Sequence, residues 1–198
     1  MPRQVDHDDR RDQIVTITIE LIAEGGPTAV TIREVARRLG GSVTLVTHYY
    51  PTRQAIFEGV AARLIELGRS EAAAMEAGAN DPVGRLRGYL QWALPTRPEG
   101  IRREIARIRL LAERHAAPSL EKTARGYDES MREDLREHLS DLVPDDRRES
   151  VVELLRVFVT GVILLAVEHQ DSWPPERQME AAEAMLTSLG ITESSAAS

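Results

Sequence analysis

From Ile14 to Leu189 the apolar residues of this chain recur at spacings of three and four, and Gly or Pro cuts the pattern into short blocks. That period is the α-helix's, at about 3.6 residues per turn; a half-buried strand would alternate every second residue, and no segment does. The pattern predicts an all-α fold in which each helix buries an apolar stripe against its neighbours. About nine helices are expected. One carries Ile14, Ile17, Leu21 and Ile22 and ends at Gly25-Gly26-Pro27. A short one follows Thr31 and stops at Gly40-Gly41; another spans Val43 to Tyr50, capped by Ser42 and broken by Pro51-Thr52. The fourth, 53–77, is long. Asp81-Pro82 opens the fifth, Ile101 to Ala112 marks the sixth, and Leu120 to Leu142 the seventh. The eighth, 147–170, is so apolar that it must bury more than one face, and Asp146 with Glu149 reads as its cap. The ninth, 175–189, carries Met179, Ala182, Met185, Leu186 and Leu189 and closes at Gly190.

Composition narrows what such a bundle can do. The 198 residues include no Cys, which excludes disulfides, thiolate metal sites and Cys nucleophiles. The five His show no metal-ligand spacing, and Asp134 with His138, one turn apart, reads as a surface pair. No metal or other cofactor is expected. Neither a nucleophile–base pair nor a Gly-rich phosphate loop appears, so no enzyme is expected. The longest apolar run, Val157 to Val167, is short of the roughly 20 residues that span a bilayer. The polar, acidic start has no apolar core after its charges. A soluble cytoplasmic protein with no membrane partner is the expectation. The formal net charge of −7 argues against a wholly basic nucleic-acid coat protein but leaves room for a local basic face.

Residues 31–53 are that place. Thr31 followed by Glu34 has the spacing of a capping box, and Val30 and Val35 are placed as a hydrophobic staple. Two short helices joined by a Gly-Gly turn make a helix-turn-helix, which needs the flanking helices for its core. Arg33, Arg37, Arg38 and Arg53 face a single acid, Glu34. Such a patch suffices to dock phosphates. The second helix is expected to show Ser42, Val43, Thr44, Thr47 and His48 to the edges of bases in a major groove. Leu45, Val46 and Tyr50 are expected to point inward. Tyr49, Thr52 and Arg53 are placed to clamp phosphates, with Thr31 and Arg33 at the start of the first helix completing the DNA-facing set.

Residues 10–58 resemble the N-terminal domain of the TetR family of bacterial transcriptional regulators. The resemblance rests on Thr31, Val35-Ala36, Gly41-Ser42, His48-Tyr49-Tyr50, Pro51-Thr52-Arg53 and Ile56-Phe57, in that order and at the family's spacing. Thr44 stands where the family often has Gly, Thr47 where it often has Tyr, and Arg53 where it usually has Lys. The operator sequence therefore cannot be borrowed from better-known members. The resemblance implies a helix-turn-helix DNA-binding domain over 1–55. It implies a helical ligand-binding and dimerisation domain over 56–190, and residues 191–198 read as a flexible tail. It further implies a homodimer on a palindromic operator, released by a small-molecule inducer, with helix 53–77 as the lever between the two functions. A repressor is the leading expectation. An activator of the same fold and, further off, a helical-bundle enzyme are the alternatives.

Helical faces suggest where the effector and the second copy bind. Leu64, Leu86, Leu90, Trp92, Ile105, Ile108, Tyr127, Met131 and Phe158 are expected to line a pocket for an apolar or aromatic ligand with few polar anchors. Leu155, Val159, Val162, Ile163, Met179, Ala182, Met185 and Leu186 are expected to form the dimer seam of a four-helix bundle. The arginines at 97, 102, 103, 107, 109 and 114 read as a solvated face or an anion site.

Overall fold

Gly and Pro set most of the helix ends. In the computed structural model, which describes residues 3–112 and 118–192, the described residues form nine α-helices and one 3-10 turn, Pro27–Ala29. The helices are α1 (Arg3–Gly25), α2 (Ile32–Leu39), α3 (Val43–Tyr49), α4 (Arg53–Glu76) and α5 (Pro82–Ala93). They continue as α6 (Pro98–Ala112), α7 (Pro118–Leu139), α8 (Asp145–Glu168) and α9 (Pro175–Ser188). The side chains of residues 3–8, 60, 61, 63, 64, 67, 118–120 and 123 fall outside the described set. The all-α expectation holds. α1 is longer than expected because Arg3 to Gln13, although polar, continue the helix without a breaker.

The chain divides into two compact units, one of residues 1–67 with 105–127 and one of 68–104 with 128–198. The division is not a single cut, since α4, α6 and α7 each have residues in both. The first unit closes around Ile14, Val15, Leu21, Ile22, Val30, Val35, Ala36, Val46, Tyr50, Ile56, Phe57 and Ala106. α1 supplies the apolar floor that the two short helices α2 and α3 cannot supply for each other.

The second unit has its core on α5, α7, α8 and α9, with Leu86, Tyr89, Leu90, Leu135, Leu139, Val152, Leu155, Ile163 and Leu186 all buried. Asp81 caps α5 by accepting the Gly84 amide at 2.9 Å. α7 and α8 run antiparallel and are laced by ion pairs: Arg156 donates to Asp128 at 2.6 Å, Arg132 meets Glu153 at 3.0 Å and Arg136 meets Glu149 at 2.8 Å. The Asp146–Glu149 cap expected for α8 does not form. The helix starts at Asp145, right after Pro144, and Glu149 is drawn to Arg136 instead. By length and composition α8 is apolar enough to cross a membrane, contrary to the reading from residues 157–167 alone. Its residues Val151, Val152, Leu155, Val159, Val162, Ile163 and Ala166 are nonetheless buried in the unit's own core.

That burial corrects the expected dimer seam. Leu155, Val159, Val162, Ile163, Ala182 and Leu186 fill the protomer's core, and Met179 and Met185 are half-buried. A side chain packed on all sides within one chain has no surface left for a second. The apolar surface that α8 leaves to solvent is Leu154, Val157 and Leu164, at 50%, 64% and 45% exposure, with Gly161 exposed between them. The expected tail also starts too early. Gly190 adopts φ 76°, which lets the Ile191 amide reach back to Leu186 O at 2.9 Å, and Ile191 is buried. Residues 193–198 lie outside the described residues.

Candidate nucleic-acid interface

The helix-turn-helix is built by two caps and one left-handed residue. Thr31 Oγ1 accepts the Glu34 amide at 3.1 Å and starts α2. Gly40 ends α2 at φ 66°, a conformation that costs Gly little and an L side chain much more. Ser42 Oγ accepts the Leu45 amide at 3.1 Å and starts α3. Val46 and Tyr50 then point into the core and Leu45 is half-buried. Ser42, Val43, Thr44 and His48 are exposed, Val43 at 45%, while Thr47 and Tyr49 are half-buried. The Thr47 hydroxyl is turned back to Thr44 O at 3.2 Å, and His48 stands edge-on to Tyr49. Thr31, Arg33 and Thr52 are also exposed. Thr31 and Thr52 spend their hydroxyls on caps, Thr52 accepting the Ala55 amide at 3.0 Å.

The basic patch is less positive than its arginine count. Arg37 donates to Glu34 from Nε at 2.8 Å and Nη2 at 2.5 Å. Those bonds, helped by Arg38, hold the Glu34 carboxyl down to about 2. Arg38 reaches Glu34 at 3.4 Å from Nε and grips Glu24 of α1 with both terminal nitrogens, which lowers the Glu24 carboxyl as well. Arg33 has no acidic partner among the described residues. Arg53 is exposed, yet its guanidinium is tied back to the backbone: Nε donates to Val30 O at 2.8 Å, Nη2 to Pro27 O at 2.6 Å, and the group lies 4.9 Å from the centre of the Phe57 ring. One cation lies beyond the expected set. Arg11 of α1 sits 5.9 Å from the Tyr49 ring centre and so stands beside the end of α3. The arginine is plain in the sequence, but the apolar stripe that marks the first helix begins only at Ile14.

The other expected site residues separate between the units. Leu86, Leu90 and Trp92 are buried and Met131 and Phe158 buried or half-buried in the second unit. Ile105, Ile108 and Tyr127 are half-buried in the first. Leu64 lies outside the described side chains. Trp92 is a tie between helices: its indole N–H donates to Glu71 at 3.1 Å, and its ring lies under Arg103 at 5.1 Å. Arg103 also donates to Trp92 O at 3.2 Å and to the fully buried Glu104 at 3.3 Å. Within the Arg-rich segment Arg97 is exposed, and other arginines have partners. Arg102 pairs with Glu99, Arg107 lies over Tyr127 and Arg109 donates to Ile22 O, while Arg114 is outside the described residues. His138 is not the surface residue expected. Nδ1 sits 2.7 Å from Asp134 O, Nε2 3.0 Å from Glu76, and the ring packs on Tyr89.

A capped two-helix hairpin that shows short polar side chains and Val43 beside arginines defines a helix-turn-helix DNA-binding protein. The pattern of the bacterial regulatory proteins of the tetR family matches residues 14–60, and that of the BetI-type transcriptional repressor C-terminal domain matches residues 82–190. The chain belongs to the TetR family of bacterial transcriptional regulators, which are DNA-binding transcription factors and not enzymes. The HTH-type transcriptional regulator PksA of Bacillus subtilis is 38% identical over 53 residues, a match that spans 27% of this chain and only 26% of that one. Solved structures share the fold. A transcriptional regulator from Rhodococcus sp. Rha1 has a TM-score of 0.77 at 22% identity over 95% of this chain and 98% of its own. A transcriptional regulator from Saccharomonospora viridis, in complex with choline, has a TM-score of 0.75 at 16% identity over 91% and 96%.

Proposed function

We propose that this regulator is a cytoplasmic repressor that holds a palindromic operator as a homodimer and lets go when a small molecule binds its C-terminal part. The observation that carries the reading is the stripe Leu154, Val157, Gly161, Leu164 on α8, apolar yet exposed. Its three-four-three spacing suits the shallow crossing of a four-helix bundle. On α9, Ala184 and Ser188 are exposed and small enough to receive side chains of that size. Two copies joined there present two α3 helices, which a two-fold symmetric operator accommodates when its half-sites lie about 34–36 Å apart. Base reading is assigned to Ser42, Val43, Thr44, Thr47 and His48, and phosphate docking to Arg33 and Tyr49, with Thr31 and Thr52 at the edge of the contact. The effector would act by population shift, binding one disposition of the two heads better than the other.

The choline held by the Saccharomonospora viridis neighbour makes small quaternary ammonium compounds the first effectors to try. Selection of bound sites from random duplex DNA should return an inverted repeat. Footprints on that site should fade as choline or a related cation is added, and a promoter fusion should rise in activity when the regulator is deleted. A direct repeat, or a single half-site bound with full affinity, overturns the dimer. A promoter that falls silent on deletion makes the protein an activator.

A further inference from the structure

We infer that Arg53 is a positioning residue for DNA binding and not one of the phosphate contacts: it locks the helix-turn-helix onto the first turn of α4. Its guanidinium spans the end of the 3-10 turn, with Nε on Val30 O at 2.8 Å and Nη2 on Pro27 O at 2.6 Å. Those two carbonyls belong to the segment that delivers Thr31, the cap of α2. A cation on the carbonyl end of a helical turn is favoured by the turn's dipole as well as by the hydrogen bonds. The Phe57 ring supports the guanidinium from the same helix, 4.9 Å away. A planar fork can hold two carbonyls at once; an ammonium on a flexible stem cannot hold the same geometry.

A second contact fixes the far end of the same hairpin to α4. The Tyr50 ring, which follows α3, packs so closely over Gly59 that a Cβ there would fall 2.0 Å from Tyr50 Cε1. Arg53 and Gly59 lie six positions apart on α4, so one stretch of that helix grips both the entrance of α2 and the exit of α3. The head is carried as part of α4. Rotation of the first turns of α4 moves Ser42 to His48 with it, and Arg53 is the side chain that makes the entrance follow.

Salt dependence separates positioning from direct docking, because removing one cation from a phosphate lowers the slope of log K against log salt by about 0.9. The experiment uses the full chain and two duplexes, a site selected from random DNA and a scrambled duplex of equal length. Arg53→Lys and Arg53→Ala are compared with Arg33→Ala at a temperature where circular dichroism shows each variant folded. Both Arg53 variants should lose about tenfold or more on the selected site. They should keep the wild-type salt slope and the wild-type affinity for the scrambled duplex, and lysine should not rescue. Amide hydrogens from Val30 to Ile32 should exchange faster in the free Arg53 variants than in wild type. A slope lowered in Arg53→Ala and restored in Arg53→Lys makes Arg53 a phosphate contact and overturns the inference. Unchanged affinity, or unchanged exchange at Val30 to Ile32, overturns it too. If Arg53→Ala does not fold, Arg53→Lys alone decides.

Discussion

Glu34 places a negative charge in the middle of a surface that must meet phosphates, and the arginines around it are what keep it there. Hydrogen bonds from Arg37, with Arg38 adding to the pull, hold its carboxyl down to about 2. A lowered folded-state value means that the pairing contributes its full share above the carboxyl's ordinary 4.5 and loses it as pH falls through about 2. An acid titration of helicity should therefore show less loss between those limits in Glu34→Gln than in wild type. The same variant releases Arg37 toward DNA, while Arg38 stays on Glu24. Its affinity for scrambled duplex should rise, with a salt slope steeper by up to about one contact. Gly59 makes the opposite kind of demand, for space. Gly59→Ala drives a methyl into the buried Tyr50 ring. Overpacking of this kind costs about 1–3 kcal/mol, read as a lower midpoint in urea, and operator affinity should fall with it.

At the scale of elements, local chemistry was plain in the sequence and long-range pairing was not. Thr31, Ser42 and Asp81 each cap the helix that follows them, as side-chain type and position indicate. Ser42→Ala should cost about 1 kcal/mol of stability, measured by chemical denaturation. Only half of the capping box at Thr31 carries over, because the Glu34 carboxylate goes to Arg37 and Arg38. Arg38 finds Glu24 fourteen residues upstream, and Arg53 finds Pro27 and Val30 more than twenty residues upstream. No spacing rule announces partners of that kind. The ladder between α7 and α8 is a further case. Asp128, Arg132 and Arg136 meet Arg156, Glu153 and Glu149 in antiparallel order, so signs match only in one register. Each exposed pair adds little on its own. Arg136→Glu, which sets like charges against Glu149 and Glu129, should lower the melting temperature at low salt and less so at high salt.

For the whole molecule, the sequence identified α8 as the helix with apolar surface to spare and assigned the wrong face outward. Hydrophobicity alone does not tell a buried Leu155 from an exposed Leu154. What decides is packing against other helices, such as α7 and α9, which the pattern of α8 alone does not contain. The two faces should answer differently to substitution. Val157→Glu should leave the fold intact and give monomers in sedimentation experiments, with operator affinity lost. Leu155→Ala should cost about 2–5 kcal/mol of folding free energy. A monomeric Leu155→Ala with unaltered stability would reverse the assignment of faces.

The seven residues of α3 have a consequence for how such a protein finds its address. At about 1.5 Å of rise per residue, a helix of that length lies along no more than three or four base pairs. A word so short recurs by chance roughly every 60 to 260 base pairs in any genome. Lengthening α3 is blocked at both ends, by the Ser42 cap and by Tyr50 turned into the core. In the proposed homodimer the information missing from one reading head comes from a second, held at a fixed distance, and the spacing between the words then says as much as the letters in them.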